Sequence, residues 1–118
     1  MTMKILFVLN DPPYGSERSY NGLRLAGALA KGADNEVRLF LIGDAAACAK
    51  SGQKVPEGFY NIALMLDRVS KHGGTIGVCS TCMDARGITD SELAPGTRRS
   101  TLDELAAWAI WNDRVFVF

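Results

Sequence analysis

Two cysteines stand at a spacing that is typical of sulfur and redox chemistry. Cys79 and Cys82 form a Cys-x-x-Cys pair, and Cys79 directly follows the run Thr75-Ile76-Gly77-Val78, which has strand character. A cysteine at the end of a strand lies near unpaired backbone N–H groups, which favour the thiolate, as does a nearby cation such as Arg86. Cys79 is therefore a candidate nucleophile. The competing interpretation is a small buried hydrophobic residue, and the residues alone leave the two even.

The other ligand-type residues do not complete a familiar site around this pair. Structural zinc needs four ligands, and only Cys48 and His72 remain, with His72 before the strand at its opposite end. Cys48 lies in an alanine-rich segment and is interpreted as a packing residue. Because the chain also lacks a glycine-rich nucleotide loop, we predict neither a metal nor a cofactor. Cys82 is interpreted as a resolving thiol, as half of a redox pair, or as chemically silent.

Three further polar residues follow other predicted strands. Asp11 and Tyr14 come after the first strand, in the turn that contains Pro12 and Pro13, and Asp44 comes after the second. In a parallel sheet the carboxyl ends of the strands share one edge, where ligands bind. We therefore expect these side chains to converge near Cys79.

The elements that must position these residues alternate along the chain. The alternation predicts an α/β fold with a parallel sheet and helices on both faces. The segments 43–57 and 88–100 are predicted to be loop-rich, with a short helix at 45–50, and the second segment, which contains Arg98 and Arg99, is expected to be mobile. The predicted strands are 4–9, 37–42, 75–79 and 114–118, and the predicted long helices are 17–31 with Ser16 as N-cap, 59–71, and 101–111 with a capping box from Thr101 to Glu104.

Length and composition narrow the class of protein. The chain has 118 residues with 13 basic and 13 acidic side chains, which predicts one domain over 1–118 and no attraction to nucleic acid or a membrane surface. The zero net charge is a weak sign of self-association. No run reaches the roughly 18 apolar residues of a membrane span, and the short N-terminal run ends in Asn10-Asp11-Pro12-Pro13, as a strand rather than a signal peptide would. An odd number of cysteines predicts the reducing cytoplasm.

The sequence resembles the DsrE/DsrF-like family of sulfur-relay proteins almost from end to end. The resemblance is carried by Asp11-Pro12-Pro13-Tyr14-Gly15-Ser16, the helix 20–29, His72-Gly73-Gly74, the segment from Val78 to Asp90, and the closing 113–118. The spacing from Cys79 to Arg86-Gly87 is similar to that of the persulfide-carrying cysteine in the TusD-like branch. Cys82 is not part of that pattern, and the form Cys-x-x-Cys-x-Asp-Ala-Arg-Gly looks more like the YchN-like branch.

The resemblance implies a three-layer α/β/α fold with a sheet of about five strands, and hence a further short strand near Ile88. It also implies a sulfur carrier in which Cys79 accepts sulfane sulfur as a persulfide and passes it to a partner thiol. Arg86, with Asp11, Tyr14 and Asp44, would stabilise the persulfide; donor and acceptor proteins would be the partners, in a homotrimer or homohexamer. Two alternatives stay open at this point: a non-catalytic oligomeric binding module, and a dithiol–disulfide switch of Cys79 and Cys82.

Overall fold

Five strands and four α-helices alternate along the chain in a computed structural model that describes residues 2–118. Each of the first three strands leads into a helical segment, as expected for βαβ units. A 3₁₀ helix, Gly43–Ala49, follows the second strand, and another, Asp90–Glu92, follows the third α-helix. The strands are β1 (Met3–Leu9), β2 (Asn35–Leu41), β3 (Thr75–Cys79), β4 (Thr97–Ser100) and β5 (Arg114–Val117), and the helices are α1 (Arg18–Ala30), α2 (Ile62–Lys71), α3 (Ser80–Ala85) and α4 (Leu102–Trp111).

The strands form one sheet in the order β4-β3-β2-β1-β5. All four pairings between neighbouring strands are parallel. The carboxyl ends therefore share one edge, and the register aligns Cys79 at the end of β3 with Ser100 at the end of β4. The predicted α/β class with a parallel sheet is confirmed, and the sheet is parallel throughout.

The two faces of the sheet are covered unequally. On one face, β-strand residues such as Phe7, Leu39 and Val78 pack with α1 and α2 in the larger hydrophobic cluster. On the other face, Leu6, Phe40, Cys79 and Trp108 form a smaller cluster under α4. Gly77 permits the close approach of α4, because a Cβ at this position would lie 3.2 Å from the Trp108 ring. The result is the three-layer arrangement, with Cys79 on the α4 side.

The resemblance adds one short strand to the four predicted strands, but this added strand does not lie near Ile88. It is β4, Thr97–Ser100, and the prediction of a loop-rich segment at 88–100 was therefore wrong for these four residues. Arg98 and Arg99, which lie in this strand, both form ion pairs.

The ends of the helices depart from the prediction in three places. The helix predicted from residue 59 begins at Ile62, after the N-cap Asn61, whose side chain accepts a hydrogen bond from the Leu64 N–H. The N-cap of α1 is Glu17 rather than Ser16, and the Ser16 hydroxyl donates to Asp11 instead. Thr101 caps α4 as predicted, but the Glu104 carboxylate binds Arg98 and Ser100, so only half of the capping box forms.

The longest helix of the described residues, α1, has 13 residues. Among residues 2–118 no helix combines the length and the apolar character that crossing a membrane requires.

Candidate functional site

Cys79 lies where β3 meets α3, at the carboxyl edge of the sheet. Cys79 is both the last residue of the strand and the N-cap of the helix that follows. Its side chain is 6% exposed and contacts the apolar cluster of Leu6, Phe40 and Trp108. The sulfur therefore has mostly apolar neighbours on the sheet side, while its polar neighbours come from the first turn of α3.

The polar contacts of Cys79 favour its thiolate. Burial by itself would raise the pKa of this thiol, because a buried anion loses hydration. Opposing hydrogen bonds come from the side chains of Cys82 and Thr81 and from the backbone N–H groups of the same two residues, and together they lower the Cys79 pKa below its ordinary value. The Thr81 hydroxyl lies 3.4 Å from the Cys79 sulfur. The first turn of α3 thus supplies the donors that the position of Cys79 at a strand end predicts.

Cys82 has the complementary role in this pair. Burial and the hydrogen bond to Cys79 raise the pKa of Cys82, so Cys79 loses its proton before Cys82 does as the pH rises. The backbone N–H of Gly43 donates to the Cys82 sulfur at 3.1 Å. Gly43 has a φ of 60°, which a residue with a side chain adopts only at a cost. Gly43 therefore donates to Cys82, and Cys82 in turn donates to Cys79. The sequence alone did not identify Gly43 or Thr81 as residues of the site.

Asp44 and Arg86 form an ion pair beside the two cysteines. The Arg86 Nη2 lies 2.7 Å from Asp44 Oδ1, and its Nη1 donates to the backbone carbonyl of Cys82 at 3.1 Å. The hydrogen bond to Asp44 raises the pKa of Arg86, with smaller contributions from the charges of Asp44, Cys82 and Cys79. Arg86 is thus held next to Cys82 through the backbone carbonyl of that residue, and Asp44 balances much of the positive charge of Arg86.

Asp11 and Tyr14 make their contacts away from the cysteine pair. The Asp11 carboxylate accepts a hydrogen bond from Ser16, and the Tyr14 hydroxyl accepts one from the Ile62 N–H. Tyr14 packs against the larger hydrophobic cluster and lines a cavity of about 380 Å³, together with aliphatic and aromatic side chains that include Phe59 and Tyr60. The sheet edge is shared as predicted, but these two residues turn toward the α1 and α2 side.

Within residues 2–118, no three His, Cys, Asp or Glu side chains are grouped as a metal site would require. The three cysteines are free thiols. What the arrangement offers chemically is one thiol of lowered pKa next to a second thiol of raised pKa.

The fold and the site together define a three-layer α/β protein with a cysteine of lowered pKa at the end of the interior strand β3. A profile of the DsrE/DsrF-like family matches residues 3–118. Protein YchN of Escherichia coli (strain K12) is 44% identical over 116 residues, which are 98% of each chain, and an uncharacterized protein of Methanopyrus kandleri (strain AV19) is 34% identical over 115 residues, 97% of this chain and 93% of the relative. The chain belongs to the DsrE/DsrF-like family, which confirms the resemblance found in the sequence.

Solved structures agree with this assignment. The crystal structure of the ychN protein from E. coli superposes with a TM-score of 0.93 at 42% identity, covering 99% of this chain and 100% of that one. A protein of unknown function from Methanobacterium thermoautotrophicum has a TM-score of 0.75 at 10% identity, covering 98% of this chain and 99% of that one, and this likeness concerns the fold alone. The predicted α/β/α architecture is confirmed.

Proposed function

We propose that this protein is a sulfur carrier that holds sulfane sulfur as a persulfide on Cys79. The observation that carries the proposal is the set of hydrogen bonds from Thr81 and Cys82, which lowers the Cys79 pKa despite burial. A thiolate is the form that attacks sulfur, and the same donors would stabilise the anionic terminal sulfur of a persulfide. Membership of the sulfur-relay family supports this chemistry.

The proposed reaction has two steps that balance in atoms and electrons. The Cys79 thiolate attacks the terminal sulfur of a donor persulfide, the donor S–S bond breaks, and the donor thiolate leaves. An acceptor thiolate then attacks the terminal sulfur on Cys79, and the Cys79 thiolate is regenerated. Neither step needs an external oxidant, since each exchanges one S–S bond for another.

Mass spectrometry after incubation with glutathione persulfide tests the proposal. We expect one added sulfur atom on the wild-type protein, none on Cys79→Ser, and retained addition on Cys82→Ser. Cys48→Ser is the matched control, because Cys48 is also buried but its Sγ is hydrogen-bonded to the Asp11 carbonyl. Sulfur addition that is indifferent to Cys79 would refute the carrier function and leave a binding module without sulfur chemistry.

The contact between the two thiols favours a second candidate, a dithiol–disulfide switch. In this scheme Cys82, after losing its proton, would attack the inner sulfur of the Cys79 persulfide. The S–S bond of the persulfide would break, hydrosulfide would leave, and a disulfide would join Cys79 and Cys82. The switch requires both cysteines, whereas the carrier requires Cys79 alone. Mild oxidation followed by alkylation separates them, because only the switch protects Cys79 and Cys82 together.

The proposed partners are sulfur-donor and sulfur-acceptor proteins and further copies of this chain. Val115 and Val117 on β5 are 52% and 66% exposed, on the strand face opposite to the packed Phe116, and Ile110 on α4 is 88% exposed. Exposed apolar side chains such as these favour a subunit contact. We infer a homotrimer or homohexamer, for which sedimentation equilibrium is the test; a monomer at micromolar concentration would refute it. The proposed chemistry needs reduced thiols, which the cytoplasm maintains.

A further inference from the structure

The helix that carries the donors to Cys79 is too short to hold its own position. α3 has six residues, and helices of that length are not stable in isolation. Met83 is its only buried residue. The orientation of α3, and with it the donors of Thr81 and Cys82, therefore depends on contacts with other elements.

Arg99 on the neighbouring strand β4 supplies a dense set of such contacts. Its Nη1 donates to the Ser80 hydroxyl at 2.7 Å, to the Ser80 carbonyl at 3.4 Å and to Asp84 Oδ1 at 3.1 Å. Its Nε donates to Asp90 Oδ1 at 2.5 Å, in the 3₁₀ helix that follows α3. Because the guanidinium is planar and rigid, these partners are held in one fixed arrangement.

The contacts of Arg99 flank the donors to Cys79 on both sides in sequence. Ser80 immediately precedes Thr81, and Asp84 lies two residues after Cys82. The Cys79–Thr81 contact is already 3.4 Å long, so a shift of α3 by about 1 Å would take it out of hydrogen-bond range.

We propose that Arg99 is a positioning residue for Cys79, which holds α3 so that Thr81 and Cys82 keep their donors on the Cys79 sulfur. Arg99 acts through the helix and does not touch the reacting sulfur. The importance of this role for sulfur transfer rests on the proposed function, but the role itself concerns only the state of the thiol.

The test is the pH profile of Cys79 alkylation by iodoacetamide, resolved by peptide mass spectrometry in the full-length protein. In Arg99→Met we expect the midpoint to move to higher pH and the rate at pH 7 to fall roughly threefold to tenfold, because less thiolate is present. Arg98→Met is the matched control. Arg98 is the adjacent residue and also makes a two-pronged ion pair, but with Glu104 of α4, at 2.6 and 3.0 Å. Its profile should match the wild type, and an unchanged midpoint in Arg99→Met would overturn the proposal.

Arg99→Lys distinguishes geometry from charge. Lysine keeps the positive charge but has no rigid fork, so we expect its midpoint to move in the same direction as that of Arg99→Met. Full wild-type behaviour in Arg99→Lys would overturn the positioning role in favour of a simple electrostatic one.

Asp84→Asn keeps the proposal testable even if the Arg99 variants fold poorly. Asp84 is 67% exposed, and its replacement leaves an amide of the same shape. Loss of a nearby negative charge should by itself favour the thiolate, whereas loosening of α3 should disfavour it. We expect the midpoint of Cys79 to rise, and a fall would contradict the proposal.

Alkylation does not require a persulfide, so this experiment and the sulfur-loading experiment fail independently. A Cys79 that never accepts sulfur but responds to Arg99→Met would refute the carrier function and retain the positioning role. If Cys79 accepts sulfur and its pH profile is unaltered in Arg99→Met, the carrier function would be retained and the positioning role would be refuted.

Discussion

Cys79 and Cys48 are both buried, yet their surroundings drive the two thiols in opposite directions. Cys48 is 1% exposed in the 3₁₀ helix after β2, and burial raises its pKa to about 12, despite a hydrogen bond with Ser19. Its sulfur lies 3.6 Å from the Asp11 carbonyl, an acceptor that holds the proton on the thiol. Cys79 is 6% exposed, and its pKa is lowered.

The difference between the two sites lies in the balance between desolvation and the hydrogen bonds that each sulfur accepts. At Cys48 desolvation outweighs the hydrogen bonds from Ser19 and the backbone, whereas at Cys79 the hydrogen bonds from Thr81 and Cys82 outweigh desolvation. Desolvation disfavours both thiolates, and only donors aimed at the sulfur can offset it. Cys79 obtains its donors from the start of α3, because a strand that ends in a helix exposes N–H groups there. Burial alone is therefore a poor guide to the reactivity of a cysteine in this fold.

The largest expected effect of this difference is on alkylation. At pH 7 the native protein should react with iodoacetamide at Cys79 at least about a hundredfold faster than at Cys48, which must wait for local opening. Peptide mass spectrometry over a time course measures both rates. In concentrated guanidinium chloride the two rates should converge, and similar rates in the native protein would remove the basis of the comparison.

A second expected effect concerns stability at alkaline pH. Cys48 has an ordinary pKa of 9.0 and a folded-state pKa of about 12, so the unfolded chain loses its proton first and unfolding becomes easier as pH rises above 9. Between pH 8 and pH 10 this contribution should lower the free energy of unfolding by about 1.4 kcal/mol. Urea unfolding of the wild type and Cys48→Ala measures it, and the variant should have the flatter pH dependence.

Cys79 supplies the control of opposite sign for that experiment. Its folded-state pKa is depressed, so its contribution to stability is present above the unfolded pKa and is lost as pH falls through the folded one. Cys79→Ala should therefore lose stability, relative to the wild type, as the pH approaches 9 from below. Parallel pH curves for the two alanine variants would contradict the assignment of opposite shifts.

The smallest expected effect distinguishes the contribution of the Asp44–Arg86 ion pair to the reactivity of Cys79 from that of the hydrogen bonds to its sulfur. In Asp44→Asn, Arg86 loses its counter-charge, and the rate of Cys79 alkylation at low ionic strength should rise, by less than about twofold since the pair is largely solvated. Asp67→Asn is the matched control, because Asp67 forms an exposed ion pair with Lys71 on α2. A slower reaction in Asp44→Asn would mean that the pair acts by holding α3 rather than through its charge.

Hydrophobic patterning was sufficient to predict the interior strands of the sheet but not the edge strand β4. The runs that become β1, β2 and β3 are largely apolar, and the capping residue Thr101 marks the start of α4, so sequence locates these elements well. β4 reads Thr-Arg-Arg-Ser and has no such pattern. It is an edge strand, and its arginines are satisfied by Glu104, Asp84 and Asp90, partners that only the tertiary structure brings together.

In the candidate site, too, some contacts could be predicted from the sequence and others could not. The contacts of Cys79 with Thr81 and Cys82 are local, so a strand end followed by a helix was enough to anticipate a tuned thiol. The directions of Asp11 and Tyr14 were not predictable, because residues in a loop after a strand can turn to either face of the sheet. The role of Gly43 could not be predicted from the sequence, because Gly43 contributes a backbone N–H and every residue except proline has one.

The packing of Trp108 over Gly77 gives the molecule an internal optical reporter. The Trp108 indole belongs to the same apolar cluster as Cys79, while Trp111 stacks on the Arg38 guanidinium, 3.9 Å from its ring centre. Thiolates and persulfides quench indole emission at short range, so the fluorescence of a Trp111→Phe variant should follow the ionisation and sulfur loading of Cys79 in real time. Each proposed sulfur transfer could thus be followed as a change in emitted light.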